Sequence, residues 1–121
     1  MLVHNYEKLI VWQKAMDLVA EVYKFTAEFP KAEVYGLSSQ MRRSAVSIPS
    51  NIAEGSRRKT KKDFSHFLII SFGSGSELDT QLKIAKRLKF VTIEEYEKVQ
   101  ALLEEVMRML NKLIESNGKE V

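Results

Sequence analysis

The chain of 121 residues reads as all-α, an up-and-down antiparallel four-helix bundle. Three observations predict this. Apolar residues recur every three or four positions in four long segments, short polar breaks separate those segments, and no stretch shows the period-two pattern of a half-buried strand. Short connections make consecutive helices antiparallel neighbours, so residues 1–121 form a single domain with one core.

The first helix is expected to start after Asn5, a good N-cap, and to stop before Pro30. Leu9, Trp12, Met16, Val19 and Tyr23 form one apolar stripe, and Val11, Ala15, Leu18, Val22, Phe25 and Phe29 form a second beside it. Together they span about 200° of the helix, whereas a helix at the edge of a monomeric bundle needs only about 100°. The surplus fits either a central, mostly buried helix or self-association, with Val11, Trp12, Leu18, Val22 and Phe25 as the candidate oligomer interface.

In the second helix Leu37, Met41, Ala45, Ile48 and Ile52 share one core stripe that runs on past Pro49. Proline lacks an N–H and crowds the carbonyl of Ala45, at a cost of roughly 3 kcal/mol in a helix interior. The expectation is a continuous helix kinked at Pro49, with the Ser44 and Ser47 hydroxyls resatisfying freed backbone. Its other face, with Gln40, Arg43, Ser47, Asn51 and Glu54, is polar without being simply charged, which points to contacts.

Thr60 with Asp63 marks the start of the third helix, which should run to about Leu88, roughly 42 Å. Phe64, Phe67, Leu68, Leu78, Leu82 and Ala85 form its core stripe, and Ile69, Ile70 and Phe72 make its first half apolar nearly all round, as if buried on several sides. The heptad phase continues across Gly73–Ser76, from Phe64 through Ser71 and Leu78 to Ala85, so these small residues are read as close helix packing, not as a linker. The fourth helix opens on the capping-box sequence Thr92-Ile93-Glu94-Glu95, buries Ile93, Tyr96, Val99, Leu103, Val106, Leu110 and Leu113, and should stop at Asn117-Gly118.

The chain has no cysteine, hence no disulfide framework and no thiolate zinc site. The opening MLVHNYEKL lacks the cationic start and apolar core of a signal peptide, and no apolar run reaches the roughly 18 residues of a membrane span. A soluble cytoplasmic protein with no membrane association is expected. The formal charge of +3 is unevenly spread: −1 over residues 1–36, +7 over 37–91 and −3 over 92–121. A cationic middle between acidic ends offers a surface for a polyanion.

Five cations in six positions, Arg57, Arg58, Lys59, Lys61 and Lys62, flank Thr60 at a helix–helix turn. They can reach a phosphate backbone, helped by the donors of the new helix N-terminus, or they can complement the C-terminal dipole of the second helix. Arg42 and Arg43 extend the candidate nucleic-acid surface, although Arg43 could equally pair with Glu54. Trp12 and Tyr23 could stack on bases, but their places in an apolar stripe favour packing. Asp63 and His66 share a helical face as metal ligands can, yet a di-iron bundle needs Glu-x-x-His on two helices. No arginine precedes a histidine with four to six residues between them as in helical ribonucleases, and no glycine-rich loop carries the lysine and hydroxyl of a phosphate cradle. The reading is therefore non-enzymatic, with no cofactor and no metal.

The string SSQMRRSAVSIPSNIAEGSRR, followed by a phenylalanine-rich segment and GSGSELDTQLKIA, resembles the small four-helix bundle proteins encoded in intervening sequences of bacterial 23S ribosomal RNA genes. The likeness begins at Val11-Trp12-Gln13-Lys14-Ala15 and reaches the last helix; Gly75 departs from the family pattern. It implies a ring-shaped pentamer; joined to the cationic turn, this makes the expected protein a homo-oligomer that binds structured or single-stranded RNA through that turn. A related branch, the accessory variability proteins of diversity-generating retroelements, implies instead a scaffold for a protein partner such as a reverse transcriptase.

Overall fold

The computed structural model describes residues 5–119. Four helices, α1 (Ile10–Ala27), α2 (Leu37–Ser56), α3 (Lys61–Arg87) and α4 (Ile93–Lys119), make up the bundle, with one-turn 3₁₀ segments at Tyr6–Lys8 and Lys31–Glu33. Each helix packs against two others, α1 and α3 both touching α2 and α4, which leaves α1–α3 and α2–α4 as the diagonals of an up-and-down square.

The second apolar stripe of α1 is the one that enters the core. Val11, Ala15, Leu18, Val22 and Phe25 are buried there together with Met41, Ile48, Ile52, Leu68, Leu78, Leu82, Leu103 and Leu110. This corrects the expected oligomer interface: Val11, Leu18, Val22 and Phe25 line the chain's own core because α1 lies against both α2 and α4, and only Trp12 of that set reaches the surface, half-buried. The surplus lies in the first stripe, where Met16 and Tyr23 are exposed beside half-buried Leu9, Trp12 and Val19. Ile69 and Ile70 of α3 are likewise exposed, 56% and 38%, so the apolar first half of that helix is not enclosed by one chain.

Helix boundaries differ from expectation in two places. Asn5 caps the Tyr6–Lys8 turn, accepting from Glu7 N at 3.0 Å, while α1 begins only after Leu9, which supplies no side-chain cap. At the other end α4 continues past Asn117-Gly118 to Lys119. The Asn117 side chain serves another purpose, donating to Lys61 O and to Ser65 Oγ of α3, both at 3.0 Å. Ile93, expected in the core, sits at the first position of α4 and is 56% exposed.

Helix α2 runs unbroken through Pro49, which is buried. Ser47 does not turn back to the freed backbone; its hydroxyl meets Ser74 Oγ of α3 at 2.8 Å, and Asn51 Nδ2 donates to Ser47 O at 2.9 Å. Ser71 Oγ donates to Ile48 O at 2.9 Å, so small polar residues stitch α2 to α3 where the backbones run close. The same closeness explains Gly55, where a Cβ would fall 2.6 Å from Phe67 Cβ, while on the α4 side of α3 a Cβ on Gly75 would collide with the Met107 sulfur. Helix α3 passes through Gly73–Ser76 without interruption.

Candidate nucleic-acid interface

Helix α2 ends at Ser56 and α3 begins at Lys61, so the cationic run becomes a four-residue corner. Thr60 sets the start of α3: its extended backbone and its hydroxyl, which accepts from Asp63 N at 3.1 Å, satisfy one of the orphan donors of the first turn. The five cations do not project alike. Arg58 folds back on α2, donating to Glu54 Oε2 at 2.7 Å with its guanidinium 4.7 Å from the Phe67 ring centroid. Arg57 lies 5.4 Å over the ring of Tyr6 and remains exposed. Lys61 is half-buried, with its carbonyl held by Asn117. Lys59 and Lys62 are exposed and make no ion pair with another described residue. The freest charge at this corner is thus on Arg57, Lys59 and Lys62.

Arg42 belongs to the scaffold. Its Nε donates to Thr26 Oγ1 at 2.8 Å, a second guanidinium nitrogen donates to Tyr23 O at 3.3 Å, and the plane sits 4.4 Å from the Tyr23 centroid. A cation bonded to the Thr26 hydroxyl and the Tyr23 carbonyl near the end of α1 complements that helix's dipole and ties α1 to α2. Arg43, one residue on, is exposed on the ridge between two depressions, and Glu54 is taken by Arg58. Arg42 occupies one face of the exposed Tyr23 ring, so a cation already stacks where the sequence left room for a base.

Asp63 and His66 are both exposed, with the His66 ring edge-on to Phe67 at 5.5 Å. Among the described residues no three His, Cys, Asp or Glu side chains come together as metal ligands would, and no helix is long and apolar enough to cross a membrane. A separate polar network joins α3 to α4: Lys83 Nζ donates to both Asp79 carboxylate oxygens at 2.7 Å and Gln100 Nε2 donates to Asp79 Oδ1 at 2.8 Å. Burial pushes the Asp79 carboxyl up, but those hydrogen bonds and the Lys83 charge outweigh it and hold the group below its ordinary value. The hydrogen bond to Asp79 correspondingly raises Lys83.

A second cationic cluster at the α3–α4 corner, Lys83, Lys86, Arg87 and Lys89, escaped sequence reading. Its signal was present in the spacing of four cations over seven residues, but it merged with the ordinary preference for basic residues in a helix's last turn.

No curated protein matches the chain. A crystal structure at 1.70 Å, described as a protein of unknown function from the S23 ribosomal protein family of Bacteroides thetaiotaomicron VPI-5482, aligns with a TM-score of 0.79 and 26% identity over 87% of this chain and 98% of that one. The family model described as "23S rRNA-intervening sequence protein" matches residues 7–112. With that match spanning the bundle from the first turn into α4, the chain belongs to the 23S rRNA-intervening sequence protein family.

Proposed function

We propose that this protein is a non-enzymatic, self-associating bundle that binds RNA through the α2–α3 corner. The observation that carries the reading is the exposure of Arg57, Lys59 and Lys62 around the N-terminus of α3, in a segment of the chain carrying +7. Cations and helix N–H groups converging on one point form the usual phosphate contact. A family named for sequences that intervene in 23S rRNA agrees with an RNA ligand. Self-association into a ring, with five subunits as the resemblance implies, is supported by the exposed first stripe of α1, which a second copy would cover. Such assembly repeats the corner around the ring and multiplies its grip on a long RNA.

Titrating a labelled RNA at several salt concentrations tests the binding. Three phosphate contacts on a single strand give a log–log slope near −2. Arg57→Ala/Lys59→Ala/Lys62→Ala should flatten that slope and weaken all sequences alike, because phosphate contacts position a ligand without reading bases. Unchanged affinity and slope in the triple variant would move the site elsewhere. No binding by the parent at low salt would leave the corner as a surface for a protein partner.

A further inference from the structure

At the corner between α3 and α4, Lys83, Lys86, Arg87 and Lys89 line a depression of about 730 Å³ that is closed by Val91, Ile93 and Tyr96. Lys83 is committed to Asp79, and Lys86 Nζ rests 4.6 Å above the Tyr96 ring. Arg87 and Lys89 are exposed and form no ion pair with a described residue. The α3 dipole accounts for cations in its last turn, Lys86 and Arg87. It does not account for Lys89, which lies beyond the helix.

The backbone makes Lys89 the more telling residue. Lys89 N donates to Lys86 O and Phe90 N to Ala85 O, each at 3.0 Å, the paired bonds of a Schellman closure. That closure requires a left-handed residue, and Lys89 has φ 60, the one positive φ at a non-glycine position among the described residues. Glycine takes this conformation without steric cost, whereas a side chain does not. A lysine kept where glycine fits better points to a use for its charge.

The placement of this cluster relative to the α2–α3 corner supplies that use. Lys62 and Arg87 are twenty-five residues apart on one helix, so they fall within about 20° of the same azimuth and about 38 Å apart, while Lys62 to Lys83 is about 32 Å. Between them α3 shows His66, Ile69, Gly73, Ser76 and Thr80, all exposed, with Glu77 about 60° to one side. The stripe itself carries no carboxylate, and the space above Gly73 is open. One turn of a B-form duplex is about 34–36 Å long, close to the Lys62–Arg87 spacing, so any duplex of one turn or a little more, A-form RNA included, can span both corners.

We infer that Arg87 and Lys89, backed by the charges of Lys83 and Lys86, form a second phosphate-binding station, and that the two corners grip one double-helical segment of nucleic acid laid along α3. This rests on the RNA-binding reading of the α2–α3 corner. It adds a ligand class, a duplex at least one turn long, and a second set of contacts.

The test uses hairpin-closed RNA duplexes of about 8 and about 16 base pairs, shorter and longer than one helical turn, titrated against the full chain and against Lys89→Gly and Arg87→Ala/Lys89→Gly. Lys89→Gly should fold with an equal or higher melting temperature, yet bind the long duplex about eightfold more weakly at 0.1 M salt, with a salt slope smaller by roughly 0.9. The short duplex, which reaches one station only, should bind the parent much more weakly and respond to changes at one corner alone. Equal binding of the long duplex by parent and double variant, with the Arg57/Lys59/Lys62 triple variant impaired, would overturn the second station and leave the first standing. An unpaired strand of matched length binding the parent as tightly as the long duplex would overturn the duplex assignment. Failure of the parent to bind any RNA at 50 mM salt would remove both.

Discussion

Arg42 and Arg43 are adjacent in sequence and differ in what they do, because one side chain is spent inside the molecule. Arg42 holds the end of α1 through Thr26 and Tyr23. Replacing it with alanine should cost about 1.5–3 kcal/mol by thermal or urea unfolding, the range for a charged donor, and leave RNA affinity unchanged; Arg43→Ala should harm neither the fold nor, lying far from the α2–α3 corner, the salt slope set there. Glycines divide in the same way. A methyl at Gly55 meets the Phe67 Cβ and the Phe64 carbonyl, neither of which can swing away, so Gly55→Ala should destabilise by more than about 2 kcal/mol. Gly75→Ala displaces only the flexible Met107 chain and should cost less. Gly73→Ala meets nothing and should stabilise by about 0.5–1 kcal/mol, the helix-propensity difference. Melting temperatures out of that order, Gly73→Ala highest and Gly55→Ala lowest, would count against the close α2–α3 packing.

At the scale of elements, capping chemistry was legible where both partners are local. Thr92 N donates to Glu95 Oε1 at 3.0 Å and Glu95 N to Thr92 Oγ1 at 3.1 Å, the reciprocal pair its sequence announces. Thr92→Ala should cost about 1 kcal/mol. The periodic stripes of α2, α3 and α4 also named most of the core correctly, since 3.6-residue spacing reports which residues share a face. What spacing does not report is which of two adjacent apolar stripes on α1 faces inward; that depends on the neighbours α2 and α4, and so four of the five expected interface residues, all but Trp12, lie on the buried stripe. The α2–α3 corner was visible as charge, but Arg58 folding onto Glu54 and Phe67 was not, because the choice between partner and solvent is made by geometry. In the Asp79–Lys83–Gln100 network the Asp79–Lys83 pair is local, and only the Gln100 bond from α4 is tertiary. The Asp79 carboxyl lies below its unfolded value, so its contribution is complete above about pH 4 and is lost as pH falls through the folded value. Both side chains are more than a third exposed, so the pair contributes only about 0.3–0.5 kcal/mol, typical of an i,i+4 pair. Asp79→Asn should accordingly make unfolding slightly less dependent on pH below about pH 4.

For the molecule as a whole, the arrangement of charge and of uncovered apolar surface places two demands on one small bundle. Residues 37–91 carry +7 and residues 92–121 carry −3, so α4 is the acidic side and α3, with a corner at each end, the basic one. The first α1 stripe is a third surface, lying beside α2 where Tyr23 receives Arg42. A neighbour covering Met16, Trp12 and Val19 would therefore leave the α3 stripe open to nucleic acid, and assembly and binding can coexist. Met16→Glu sets a charge at the centre of that patch, at a position 44% exposed where a single chain tolerates it. The variant should keep the helical circular dichroism of the parent but lose mass by light scattering, and its melting temperature should no longer rise with protein concentration, since mass action stabilises only a state that associates. Binding to a short RNA should survive, while the extra affinity for a long RNA that touches several subunits should vanish with the assembly. A variant that keeps the parent's mass would place the self-association surface elsewhere, and the exposed Ile69 and Ile70 would then have to face a second copy, in direct competition with nucleic acid along α3.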